Sequence, residues 1–178
     1  LGYAVVYDFY YNWEGDTFYY FRNSNLLAQI LYHEPSLYFN ILFDQVDPAT
    51  NNPLSHEVLY VPHFRDPSVY ALHRFLSLFA IIGSNNYYAM NIVVAVAMYL
   101  LNWQFFQYLV GKKLNISVKV LFICLMMIPS VQFWSSSLSK DTFTYTFSFV
   151  LVMCFSKIFI DRKLSVMSVF GLFLSAYI

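Results

Sequence analysis

From residue 87 onward the chain alternates long uncharged apolar runs with short charged joints. Tyr87–Val110 and Val120–Ser137 carry no charge at all. Thr142–Ile160 is crossed only by Lys157, close enough to its end for the ammonium to reach the interface, and Leu164–Ile178 is a shorter apolar run. A membrane-spanning helix takes about 20 mostly apolar residues. The pattern therefore predicts spans over 87–110, 120–137 and 142–160, with 164–178 opening a further one. Residues 1–86 read differently, as polar, acid-bearing segments around short helices. Asp16 is placed to cap a helix over Thr17–Arg22 and Ser24 one over Asn25–Tyr32, which Pro35 stops. Residues 44–57 are rich in turn formers and read as a loop. Val69–Ile82 is apolar but only about 14 residues long, and it carries His73 and Arg74, so it reads as an interfacial or half-buried helix. The expected fold is an all-α polytopic membrane protein: an external region over 1–86 with juxtamembrane helices, then a transmembrane bundle over 87–178.

Charge adds an orientation. Lys112, Lys113 and Lys119 lie in the joint between the first two predicted spans, and Lys157, Arg162 and Lys163 in or beside the joint after the third. Basic residues in short loops favour the cytoplasm. If each span crosses once, both joints face inward, while residues 1–86 and the Ser135–Asp141 turn face outward. The acids obey the same division. Of ten, only Asp141 and Asp161 lie beyond Asp66. Six of the eight early acids then need no role beyond solvating an external loop, leaving Asp16 and its neighbour Glu14.

Composition agrees with a membrane chain. Of 178 residues, 59% are hydrophobic and 11% charged, against roughly 25% charged in ordinary soluble domains. Sixteen Tyr and nineteen Phe suit interfacial belts. A formal net charge of +0, with no basic patch interleaved with aromatics, gives no footprint for nucleic acid. Cys124 and Cys154 fall inside apolar runs and read as small hydrophobes. The sequence begins at Leu1 without a signal-peptide pattern and ends at Ile178 inside an apolar run, which reads as a fragment of a longer polytopic protein.

Two stretches carry candidate chemistry. Around Gly15-Asp16, the run from Tyr10 to Phe21 is crowded with rings, Tyr19 among them. An acid at a membrane surface can take a proton from a hydroxyl, and rings can stack on a sugar. The plainer reading, a helix cap within an aromatic belt, has the greater weight on sequence alone. Trp134 to Asp141 forms the second stretch, in which Lys140 would pair with a phosphate and Asp141 would bind a metal or an acceptor. Its plainer reading, a salt bridge heading the next helix, weighs equally. His33-Glu34 and His56-Glu57 do not complete a His-Glu-x-x-His spacing, and Asn115-Ile116-Ser117 is a glycosylation sequon on a joint expected inside the cell. No P-loop, Gly-x-Ser-x-Gly or Gly-x-Gly-x-x-Gly occurs.

Gly15-Asp16-Thr17 with Tyr19-Tyr20-Phe21, then Ile128-Pro129-Ser130, Phe133-Trp134-Ser135-Ser136 and Lys140-Asp141, resemble in this order the N-terminal part of a GT-C-class membrane glycosyltransferase of bacterial surface-polysaccharide synthesis. The resemblance implies a long external loop with juxtamembrane helices, residues 67–83 matching the helix before the second span. It also implies a bacterial cytoplasmic membrane, a polyprenyl-phosphate-linked sugar donor and a glycan or lipid acceptor. Asp16 would be the catalytic base and Asp141 the second acid. Glu14, Tyr19, Arg74, Trp134 and Lys140 would contact substrate, with Lys140 or Arg74 offsetting the leaving phosphate. The Asp-x-Asp or Asp-x-Glu pair of metal-dependent members is not present, so nothing in the sequence supports a divalent metal or other cofactor. Two rivals stand beside this reading: a polysaccharide polymerase or ligase, and a non-enzymatic transporter or flippase subunit, which would show discontinuous helices.

Overall fold

The computed structural model describes residues 2–11, 15–43, 45, 67–112, 114–162 and 165–177, and all regular structure among them is helical. The elements are α1 (Gly2–Tyr11), α2 (Asp16–His33), α3 (Pro35–Leu42), α4 (Pro67–Gly83), α5 (Tyr87–Gly111), α6 (Val118–Met126), α7 (Pro129–Trp134), α8 (Lys140–Phe155), a π-turn (Ser156–Ile160) and α9 (Val166–Tyr177). Two compact units divide the chain, one over Tyr3–Val93 and one over Val94–Ile178.

In the first unit α2 is one unbroken helix of 18 residues rather than two. The expected cap at Ser24 fails because its hydroxyl turns back onto the Tyr20 carbonyl (2.5 Å), the bond a mid-helix serine makes when it does not start a helix. Asp16 is likewise the first helical residue rather than the cap, which is Gly15 in extended backbone. Pro35 does stop the helix and opens α3, where a missing N–H costs nothing. α2 lies along α4, and Leu27, Ile30, Tyr38, Ile41 and Tyr70 close a small apolar core. α4 is continuous over 17 residues and largely buried, His73 and Arg74 included. Arg74 lies over the Tyr70 ring one turn earlier, 4.6 Å from its centroid. α4 turns into α5 through Ser84 and Asn85, both in left-handed backbone (φ 50° and 60°), and Gly83 admits the start of α5 at close range.

The second unit holds most of α5 together with α6 to α9. Among the described residues, α5 (25 residues) and the continuous stretch Lys140–Ile160 (21 residues) are the two helices long and apolar enough to cross a membrane. They run parallel. Asn102 donates to Thr146 (3.4 Å), Phe105 stacks on Phe149 (4.6 Å), and Tyr108 reaches Asp161 (3.2 Å), so contacts advance together along both helices. Both therefore end at one side of the unit. The charged joints that follow them meet there, with Lys112 bonded to Asp161.

The expected span over 120–137 is not one continuous helix. It is two short helices, α6 and α7, of nine and six residues. Hydropathy sees an unbroken apolar run, but Pro129 has no N–H to give the Leu125 carbonyl four residues back. Tyr145 Oη (3.3 Å) and Gln132 Nε2 (3.4 Å) donate to that carbonyl instead. Side chains commonly repair a proline break in this way in apolar surroundings. α9 follows after Asp161 and lies against α8, where Gly171 lets Cys154 approach.

Candidate functional site

Asp141 stands in the first turn of α8, exposed, where a carboxylate favours the helix N-terminus. The turn before it is built of hydroxyls. Ser139 caps α8 by accepting from the Thr142 N–H (3.4 Å). Thr142 Oγ1 accepts from the Ser137 N–H (3.1 Å) and donates to the Trp134 carbonyl (3.1 Å). With Ser137, Leu138 and Thr142 fully buried, the Ser135–Ser139 turn is a tied structure, and it fixes the direction from which α8 starts. Beside it lies a cavity of about 280 Å³ lined by Ser130, Val131, Trp134, Ser135, Asp141 and Tyr145. The structure thus brings two predicted site residues, Asp141 and Trp134, into one hollow. Lys140 is exposed at the helix start and is not among the lining residues.

The N-terminal candidates are more scattered. Asp16 is exposed at the head of α2, and Glu14 lies outside the described residues. A cavity of about 410 Å³ runs along one face of α2, lined among others by Phe18, Tyr19, Arg22, Asn25, Gln29 and Asn85. It therefore takes in Tyr19 but not Asp16. Arg74 is elsewhere, buried against Tyr70 on α4. Burial removes it from any surface at which it would meet a leaving phosphate.

Other polar side chains of the first unit are used in packing. Asn23 Nδ2 sits 3.4 Å from His73 Nε2, Tyr38 Oη lies 3.0 Å from Ser77 Oγ, and Thr17 Oγ1 lies 3.5 Å from Tyr87 Oη. Burial pushes the Tyr38 phenol above its ordinary range, against a smaller opposing effect of Ser77. Asp8, expected only to solvate a loop, instead accepts a hydrogen bond from Tyr88. No local motif announces that pair, since its members are 80 positions apart.

Sequence reading passed over a third group. Asp161 binds Lys112 and accepts from Tyr108 Oη (3.2 Å), and it lines a cavity of about 400 Å³ with Gln107, Tyr108, Gly111 and Lys112. The hydrogen bond to Asp161 holds the Lys112 ammonium above its ordinary range. A signal was available: Asp161 is one of only two late acids, and it sits among Lys157, Arg162 and Lys163. Among the described residues, no three or more His, Cys, Asp or Glu side chains are grouped to hold a metal ion. No known protein family, curated protein or solved structure matches this chain.

Proposed function

We propose that the protein is a membrane glycosyltransferase, moving a sugar from a polyprenyl-phosphate-type carrier to a glycan or lipid acceptor. The observation that carries the reading is the hollow in which Asp141 and Trp134 meet at the head of a membrane-length helix. A carboxylate beside an indole and two serines has the groups to take a hydroxyl proton and to support a sugar ring. In the reaction, the acceptor oxygen would bond to the anomeric carbon as its proton passes to a carboxylate. The bond from that carbon to the carrier phosphate would break, and the phosphate would leave with the electron pair. Asp16 and Asp141 each have the chemistry of that base. Lys140, exposed beside Asp141, would offset the phosphate charge.

The test is glycan assembly in cells carrying full-length Asp16→Asn or Asp141→Asn at normal expression. Loss of at least about a hundredfold in rate is expected for the base, the usual contribution of general base catalysis. Wild-type activity in both variants would refute the assignment.

One observation favours the transporter reading. The α6–α7 break at Met127–Ile128 is a discontinuous helix of the kind transporters place at their substrate sites. Here, though, the freed Leu125 carbonyl is already occupied by Tyr145 and Gln132. Substrate uptake into vesicles without any glycan product would favour the transporter.

A further inference from the structure

Both membrane-length helices end at the group around Tyr108, and that end has more charge than its own ion pair needs. Lys112 is bonded to Asp161, and the Tyr108 hydroxyl donates to the other carboxylate oxygen. The Tyr108 ring meanwhile has two ammonium groups near its centroid, Lys112 at 5.0 Å and Lys157 at 5.5 Å. A ring attracts a cation but does not cancel its charge. Arg162 follows in left-handed backbone (φ 51°), a conformation costly for any residue but glycine, and it is exposed. Two cations thus lie at the ring with one acid, and a third, Arg162, follows that acid in the chain.

The π-turn explains why they gather. The Asp161 N–H bonds to the Ser156 carbonyl five residues back (3.0 Å). Inserting that wider turn rotates the following residues by about 100° relative to a plain α-helix, which presents Asp161 to α5. On the same two helix ends the surface changes character. Val110, Phe155, Phe159 and Ile160 are exposed, the last at 70% of its surface. Surplus positive charge beside a cavity of about 400 Å³, with exposed apolar side chains on the same two helix ends, matches an anionic amphiphile rather than a free ion.

We propose that the cavity beside Tyr108 holds the phosphate of an anionic phospholipid. Lys112, Lys157 and Arg162 supply the counter-charge, and Phe159 and Ile160 lie against the acyl chains. Basic residues just beyond the end of a membrane helix bind anionic headgroups in this way, and the surface that carries such lipids is the cytoplasmic one. That is also where the basic joints are expected to face.

The experiment uses full-length protein in nanodiscs of equal phosphatidylcholine and phosphatidylglycerol, with native mass spectrometry counting the lipids retained on release. Wild-type protein is expected to retain phosphatidylglycerol over phosphatidylcholine. In Lys157→Gln/Arg162→Gln, which leaves the Lys112–Asp161 pair intact, that preference should fall roughly thirtyfold, at about fivefold per cation. Lys119→Gln, outside the cavity, should leave it unchanged. If the double variant melts lower than wild type, Lys157→Gln alone should still show about a fivefold fall. Equal retention of both lipids by wild type, or an undiminished preference in the variants, overturns the proposal. So does an equal loss with Lys119→Gln, which would mark general surface charge. Displacement of phosphatidylglycerol by inorganic phosphate overturns the lipid assignment in favour of a free-anion site.

Discussion

Where the first unit closes α2 on α4, it encloses Asn23, Ser24, Asn25, His73, Arg74 and Ser77. Where the second closes α5 on α8, it encloses Phe105, Val150, Met153 and Cys154, with Asn102 and Thr146 as the polar exception. Both units also expose apolar side chains, Phe9, Tyr32, Phe39 and Phe43 among them on the first. On the second unit's long helices, Val96, Tyr99, Leu100, Val152 and Phe155 point outward. Burying polar groups costs free energy unless each finds a partner, so a polar interior makes specific geometry rather than raw stability. Apolar exposure on a helix of membrane length is what lipid contact requires. The first unit is therefore built around buried polar side chains, among them the Asn23–His73 and Tyr38–Ser77 pairs, and the second is organised by shape and by what lies outside it.

The largest effect that would test this contrast lies in the close approaches of the two units. A Cβ added at Gly83 would meet the Met90 backbone, with Cα at 3.0 Å and N at 3.2 Å. At Gly171 it would meet the Cys154 sulfur at 2.9 Å. Backbone cannot give way, but one small side chain can be removed. Gly83→Ala and Gly171→Ala should each cost about 1–3 kcal/mol in thermal or denaturant unfolding, as overpacking does. Only the second should be rescued, with Gly171→Ala/Cys154→Ala less destabilised than the sum of its parts by about 0.5 kcal/mol or more. Rescue of Gly83→Ala by Met90→Ala would break the comparison, because it would show that the obstacle there is a side chain after all.

A smaller effect is expected at the α6–α7 break. Tyr145→Phe removes one of two donors to the Leu125 carbonyl and should cost about 1 kcal/mol. In a Pro129→Ala background the helix can bond that carbonyl itself, so the same substitution should cost close to nothing. Equal costs in both backgrounds would mean that Tyr145 matters through packing instead. Smaller again, Ser84→Gly should stabilise the first unit by about 0.5–1 kcal/mol, since glycine enters left-handed backbone without strain. A loss of stability there would show that the Ser84 side chain contributes more than its backbone costs.

These positions show what the sequence made legible. Tyr87–Gly111 and Lys140–Ile160 were readable within a residue or two, because some twenty residues without a central charge leave few alternatives. The break at Pro129 was readable in principle, but composition outweighed one missing N–H. Ser24 was misread because a serine hydroxyl serves equally as a cap or as a back-bond to the preceding turn, and only tertiary packing chooses. At the candidate site, the positions of Asp16 and Asp141 at helix starts followed from local pattern, but the hollow that Asp141 shares with Trp134 did not. A cavity depends on which helices pass each other. The Lys112–Asp161 pair spans 49 positions, and no local pattern reaches that far.

The smallest expected effect compares the two units under alkali, where opposite causes act in the same direction. In the first unit, burial raises the Tyr38 phenol above its ordinary 10.0, because the folded state resists forming tyrosinate. In the second, the hydrogen bond to Asp161 raises the Lys112 ammonium above its ordinary 10.5, because the folded state favours the charged form. In both cases the folded state holds its proton more tightly than the unfolded chain. Each contribution is therefore complete below the unfolded value and is lost as pH rises through the higher folded value. Stability should be flat across neutral pH with respect to these two groups and should decline from about pH 10 upward. Tyr38→Phe should remove the first part of that decline and Lys112→Gln the second. A matching decline in both variants would assign the alkaline loss to other groups and leave the two units without this common sensitivity.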